Sequence, residues 1–186
     1  MTDKYKVIAL VGPSGCGKDT ILNKVLGSNP EFQRVVSYTS RPMRDTERDG
    51  ISYHFTQPEN FLDFFNNNTI VETAVFNDWF YGTTYDCYSK EKINIGVYDP
   101  TRLEILLSNP QMDVTVYYVQ ARDNTRLIRQ LSREDNPDID EIFRRFKADR
   151  IDFCDIEEIC PDIIYLPNNT PDELSIALEI VASEQK

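Results

Sequence analysis

The stretch Gly12-Pro13-Ser14-Gly15-Cys16-Gly17-Lys18-Asp19-Thr20 decides how the rest of the chain is read. An apolar run, Tyr5-Lys6-Val7-Ile8-Ala9-Leu10-Val11, precedes it, and a helical pattern, Ile21-Leu22-Asn23-Lys24-Val25-Leu26, follows. A strand, a glycine-rich turn and a helix start are the context of a phosphate-binding loop. The turn points several backbone N–H groups inward, and the helix N-terminus adds partial positive charge at the same point. Lys18 then supplies a mobile full charge for outer phosphates. The motif wants Ser or Thr directly after the lysine, but Asp19 stands there and Thr20 follows. A carboxylate is a hard oxygen ligand, so Asp19 is read as binding Mg²⁺ directly or through water. Its charge beside a polyphosphate opposes contact without a metal. A glycine-rich turn that holds no ligand is the structural alternative.

With 186 residues the chain suits one domain with a substantial core. No apolar stretch approaches the roughly 20 residues needed to span a bilayer, and the N-terminus runs straight into a strand with no signal-peptide pattern. Cys16, Cys87, Cys154 and Cys160 have no metal-ligand spacing, and a disulfide at Cys16 would block the loop, so a reduced, cytoplasmic setting is expected. The formal charge of −11 argues against coating nucleic acid. Phosphate binding must therefore rest on local cations. Eight of the 20 Lys and Arg fall between Arg122 and Arg150, with seven acids among them, and three more are Arg41, Arg44 and Arg48. Ion pairs along a helix face account for some of them.

Strands and helices alternate, which predicts an α/β fold with a parallel sheet covered on both faces. Strands are expected at 5–11, 35–38, 53–55, 70–76, 79–82, 93–97, 114–119 and 163–166. Helices are expected at 17–26, 58–66, after Pro100, 124–131 and 139–153, with a short turn near 154–160. Asn77-Asp78 reads as a turn, and 132–138 as an exposed loop. Thr170-Pro171-Asp172-Glu173 opens a last helix, with Thr as cap, Pro at the first position and acids in the first turn. Residues 34–90 look like a small β-rich insert in an otherwise α/β chain.

Three segments carry a family likeness: the phosphate loop; Ser40-Arg41-Pro42-Met43-Arg44 with Glu47, Gly50 and Tyr53-His54-Phe55; and Glu72 followed by Phe80-Tyr81-Gly82-Thr83. In their order and spacing the chain resembles the guanylate kinases, which are P-loop nucleoside monophosphate kinases. The resemblance implies a P-loop kinase three-layer α/β sandwich with a parallel core sheet. It implies one domain, with a core at 1–33 and 91–186, a mobile monophosphate-binding insert at 34–90 and a short lid at about 132–140. It also implies transfer of the γ-phosphoryl group of ATP to GMP or dGMP, with Mg²⁺. By position, Gly12, Pro13, Ser14, Gly15, Cys16, Gly17, Lys18, Asp19, Thr20 and Asn168 would bind ATP. Ser37, Arg41, Arg44, Tyr53, Glu72, Tyr81, Thr83 and Asp99 would hold the acceptor. Lys18, Arg41, Arg133 and Arg145 would act on the transferring group, and Asp19 and Asp99 would serve the metal. The expected partners are small nucleotides, with no nucleic acid or membrane, in a monomer or homodimer.

These assignments make chemical sense. Arg41 and Arg44 offer planar forks to a phosphate dianion, and Tyr53 and Tyr81 offer phenolic hydroxyls. Guanine presents N1–H and N2–H₂ side by side, and a carboxylate such as Glu72 accepts both, whereas adenine lacks that donor pair. Ser37 and Thr83 would complete the edge. His54, the only histidine, is read as structural, because an anionic acceptor needs little base help. For Arg133 and Arg145 the alternative is ion pairing with Glu134, Asp140 or Glu141. Two departures stand out: Asp19, and Val97, which takes the place of one of the two acids the family usually carries near Asp99. They leave open a kinase with another phosphorylated acceptor, such as a deoxynucleotide or phosphosugar. A catalytically dead protein-binding module is the third reading.

Overall fold

The computed structural model of the protein describes residues 4–183 apart from 45, 46, 77 and 134. In chain order the elements are β1 (Tyr5–Val11), α1 (Lys18–Ser28), β2 (Phe32–Arg34), β3 (Tyr38–Thr39), β4 (His54–Phe55), α2 (Pro58–Asn66), β5 (Ile70–Phe76) and β6 (Trp79–Thr84). A single 3₁₀ turn, Tyr85–Cys87, leads to β7 (Ile93–Val97), α3 (Pro100–Ser108), β8 (Met112–Gln120) and α4 (Asp123–Leu131). Then come α5 (Ile139–Asp152), α6 (Ile156–Ile159), β9 (Ile164–Pro167) and α7 (Pro171–Ala182).

Five strands form an all-parallel sheet in the order β2-β7-β1-β8-β9. The continuous apolar run of β1 follows from its central place: with helices on both faces, every position from Val7 to Val11 is buried. On one face Ile8 and Leu10 pack with Ile21, Leu22 and Val25 of α1 and Ala177 and Val181 of α7. On the other, Val7, Ala9 and Val11 pack with Leu103 and Leu106 of α3 and Ile156 of α6. Neighbouring strands on the two sides of β1 are reached by connections running opposite ways, so a crevice opens beyond its carboxyl end. The phosphate loop, Asp99 and Asn168 all lie just past the carboxyl ends of core strands.

The second sheet has the order β4-β3-β6-β5, with β3 parallel to β4 and the other pairs antiparallel. The strand expected at 35–38 is divided between the two sheets. The Val35 N–H donates to Ile95 O of β7 at 2.9 Å, while Ser37 O accepts from His54 N at 2.9 Å. A short apolar run here marks a crossing between sheets, which periodicity cannot distinguish from one strand. Asn77 of the expected turn lies outside the described residues, as do Met1, Thr2 and Asp3; Asp78 has φ 63°.

Helix starts follow their sequence signals. Asp99 caps α3 by accepting from Arg102 N at 2.9 Å, Asp138 caps α5 from Glu141 N at 3.0 Å, and Thr170 caps α7 from Glu173 N at 3.2 Å. Leu103→Ala, in the core beneath α3, should lower the unfolding free energy by about 3 kcal/mol. Leu62→Ala, on the exposed face of α2, should change it by less than about 0.5 kcal/mol. Urea unfolding of both variants measures this, and equal effects would contradict the packing described.

Candidate active site

The loop after β1 is built so that no side chain can fill its turns. Gly12 has φ 139°, and a Cβ there would stand 2.5 Å from Val119 O of β8. Gly17 has φ 102°, and its Cβ would lie 2.3 Å from Asn168 Nδ2. Both positions are glycine for conformational and spatial reasons together. Lys18 folds back over the loop and donates from Nζ to Gly12 O at 2.5 Å and Pro13 O at 3.2 Å.

Neighbouring elements clamp the loop. Asp149 of α5 accepts from Ser14 N at 2.9 Å and from the Ser14 hydroxyl at 3.2 Å. Arg126 of α4 pairs with Asp149 and donates from Nε to Ser14 O at 2.9 Å and from Nη1 to Asp123 at 2.9 Å. Arg129 Nη1 reaches Cys16 O at 3.1 Å, and Asn168 Nδ2 reaches the same oxygen at 2.8 Å. The Asn168 Oδ1 is buried and, among the described residues, unpartnered. Asp19 and Thr20 are exposed at the start of α1, with Arg133 Nη2 3.9 Å from Asp19. Both of those partners are well exposed, so the pair is weak. Arg145 Nε donates to Glu141 at 2.7 Å, and Arg144 holds the same carboxylate, pulling it down to about 2, with burial opposing. Glu134 lies outside the described residues.

On the second sheet, Arg41 forks onto Glu47 at 2.9 and 2.7 Å. Its guanidinium stands 5.5 Å from the Tyr53 ring centre and 5.7 Å from that of Phe55, and Tyr53 meets Tyr81 edge-on at 5.9 Å. Burial would raise the Glu47 carboxyl, but hydrogen bonds from Arg41 and from Arg44 N outweigh it and hold it below the usual range. Arg44 is exposed. The Tyr53 phenol is raised by burial; Arg102 and Arg41 act against this, and Asp19 adds to it. The His54 ring packs tilted against that of Tyr38, with ring centres 4.9 Å apart.

Glu72 is fully buried and does not stand open to a cleft. Arg102 of α3 donates from Nε to its Oε2 and from Nη2 to its Oε1, both at 2.6 Å, and from Nη2 also to the Ser37 hydroxyl at 2.8 Å. The Thr83 hydroxyl donates to Glu72 Oε1 at 2.8 Å. Since that spends its only proton, Tyr88 OH donates to Thr83 Oγ1 at 2.9 Å, and Tyr98 OH to Tyr88 OH at 3.0 Å. Burial pushes both phenols up, which keeps these protons in place. Ser37, Glu72 and Thr83 are therefore together, joined by an arginine that the sequence reading did not single out.

A signal for it existed. Arg102 sits in the first turn of a helix, where the macrodipole disfavours a cation, so a compensating carboxylate was to be expected nearby. Asp149 and Arg126 carried no such mark, because they meet Ser14 only through the tertiary fold. Among the described residues no group of three or more His, Cys, Asp or Glu is placed to hold a metal ion, so Asp19 and Asp99 form no ligand cluster of that size.

Two outcomes follow from this geometry. Glu72→Gln leaves a buried guanidinium without its counter-charge and should cost about 3–5 kcal/mol of stability in urea unfolding, whereas a loss below about 1 kcal/mol would contradict the pairing. The Glu141 carboxyl should titrate near 2 rather than near the ordinary ~4.3. A depressed carboxyl stabilises the fold above its unfolded pKa, and that contribution fades as pH falls through the folded one. An NMR-observed midpoint at or above about 4.3 would contradict the Arg144 and Arg145 contacts.

The guanylate kinase family model matches residues 4–181. A guanylate kinase of Helicobacter hepaticus is 43% identical over 81 residues, covering 44% of this chain and 40% of that protein. One of Prochlorococcus marinus is 38% identical over 96 residues, 52% of each. The chain spans about half the length of these relatives in the matched stretch. A crystal structure of guanylate kinase from Anaplasma phagocytophilum matches 98% of this chain and 87% of its own, with TM-score 0.64 at 21% identity, a likeness of fold. The chain belongs to the guanylate kinase family.

Proposed function

We propose that this protein transfers the γ-phosphoryl group of ATP to GMP or dGMP, giving ADP and GDP or dGDP. One observation carries the reading most directly. The glycine loop after β1, with Lys18 folded over it, and the Arg41–Tyr53–Tyr81 cluster are two separate groups of phosphate-type donors in a chain that the guanylate kinase family model matches over residues 4–181. A transfer between two phosphates requires two such groups facing one cleft, and this reading assigns them those roles.

The loop from Gly12 to Thr20 would take the triphosphate tail, with Lys18 exchanging the Gly12 and Pro13 carbonyls for phosphate oxygens. Arg41, Arg44, Tyr53 and Tyr81 would take the acceptor phosphate, which must displace Glu47 from Arg41. Ser37, Glu72, Thr83 and Asp99 would form the base end. Arg133 and Arg145 would stabilise charge on the transferring group once Arg145 leaves Glu141. The unpartnered Asn168 Oδ1 suits an amino N–H on the adenine side. Exposed oxygen donors on Asp19 and Thr20 fit Mg²⁺ at the loop, with Asp99 as an outer partner; the ion would neutralise phosphate charge.

In this reading the core comprises 1–33 and 91–186, the acceptor insert 34–90, and the lid about 132–140. The four free cysteines support a reduced, cytoplasmic setting. No helix among the described residues is long and apolar enough to cross a membrane.

ADP release coupled to a reporter, measured with GMP, dGMP, AMP, CMP and UMP, tests the activity. Turnover should appear with the guanine nucleotides and need Mg²⁺; no turnover with any acceptor would refute it. Lys18→Ala should abolish turnover while leaving the urea unfolding curve unchanged, and near-normal turnover would refute the role of the loop.

A further inference from the structure

We infer that Arg144 is a positioning residue for Arg145: it holds the Glu141 carboxylate so that Arg145 can leave it for the transferring phosphoryl group, and Phe76 of the second sheet steadies Arg144 there. The inference rests on the phosphotransferase reading above and on the part Arg145 takes in it.

Two adjacent arginines of α5 share one carboxylate. Arg144 and Arg145 stand three and four residues after Glu141, the spacings that bring side chains together on a helix. Arg144 donates from Nε to Glu141 Oε2 at 2.5 Å and from Nη2 to Oε1 at 2.9 Å. Arg145 makes a single bond among the described residues, from Nε to Oε1 at 2.7 Å. The grip is unequal: the fork of Arg144 spans both oxygens, and a two-pronged bond outlasts a single one. The charge of Glu141 agrees. Hydrogen bonds from Arg144 are the largest influence on it and lower its pKa; burial opposes them, and Arg145 adds to them by less.

The same Arg144 meets the other sheet. Its guanidinium carbon stands 5.5 Å from the centre of the Phe76 ring, within reach of a cation–π contact. Phe76 ends β5 and pairs across the hairpin with Trp79 of β6, the strand that carries Tyr81. The ring is 46% exposed, so core packing does not account for it. Its cationic neighbour does.

In the reading above, Glu141 competes with phosphate for Arg145. With Arg144 forked onto it, the carboxylate is already neutralised when Arg145 lets go. The three side chains are 41%, 33% and 31% exposed, in the order Arg144, Glu141, Arg145, so the exchange costs little. Without Arg144 the whole carboxylate charge falls on Arg145 and withholds it.

Values of kcat and KM for ATP and GMP, from coupled ADP release, test this on wild type, Arg144→Ala, Glu141→Gln and the double variant. Arg144→Ala should lower kcat by at least about threefold, with both KM values within about threefold of wild type and the urea unfolding curve unchanged. In the Glu141→Gln background the same change should lower kcat by less than about threefold, because an amide carries no charge to hold Arg145. A smaller fall in the first background, a larger one in the second, or a loss carried by KM overturns the inference while wild-type turnover leaves the phosphotransferase reading standing. No wild-type turnover with any acceptor overturns both. Phe76→Leu keeps apolar bulk but removes the ring. It should lower kcat by about two- to fivefold with Glu141 in place and by less than about twofold in the Glu141→Gln background. An equal effect in both backgrounds overturns the part given to Phe76. Where Arg144→Ala does not fold, the Phe76→Leu comparison decides alone.

Discussion

The ion pair between Arg102 and Glu72 is the joint on which the two halves of the molecule meet. Arg102 is anchored in α3, at the end of the core sheet, and Glu72 stands on β5 of the second sheet. Each charge is buried: desolvation would drive the guanidinium pKa down, and the Glu72 charge and hydrogen bonds first, with smaller help from Asp99 and Tyr98, hold it up. The relay from Tyr98 through Tyr88 and Thr83 brings further protons to the same carboxylate, and in a low-dielectric setting such chains strengthen each bond. Geometry this well satisfied fixes how the second sheet is seated on the core.

At the other end of the cleft the same logic applies in a looser form. Asp149 and Arg126 hold Ser14, while Arg129 and Asn168 hold Cys16, so the phosphate loop is fixed from outside. Its functional cations are held more lightly. Lys18 rests on two carbonyls, Arg41 on Glu47, Arg145 on Glu141, and Arg133 stands near Asp19. The carboxylate partners of the three arginines are exposed or partly exposed, so those contacts are weak enough to be exchanged for a phosphate oxygen. Most scaffold groups are buried and held by several bonds, while the candidate working cations are held by few. That division explains how a chain of net charge −11 can present cations to phosphates.

Much of this was legible in the residues. The loop, β1, α2, β5 and β7 emerge from local pattern alone, because runs such as Val7-Ile8-Ala9-Leu10-Val11 carry their burial in their composition. The crossing at Val35 to Tyr38 was not legible, since one short apolar run can serve two sheets. The family resemblance implied that Arg41, Tyr53 and Tyr81 stand together, but it did not show that Glu72 is occupied. A carboxylate on a strand looks the same in sequence whether it faces a ligand or an arginine thirty residues away. Only the awkward position of a cation in the first turn of α3 hinted at its partner. Asp149 lies 135 residues from Ser14, and nothing local marks the contact.

A double-mutant cycle on Glu72→Gln and Arg102→Met, followed by urea unfolding, tests the joint most directly. The two losses should fail to add, with the double variant more stable than their sum by at least about 2 kcal/mol, because each single change strands a buried partner that the double change removes. Additivity within about 0.5 kcal/mol would show that the two side chains do not hold the sheets together through each other.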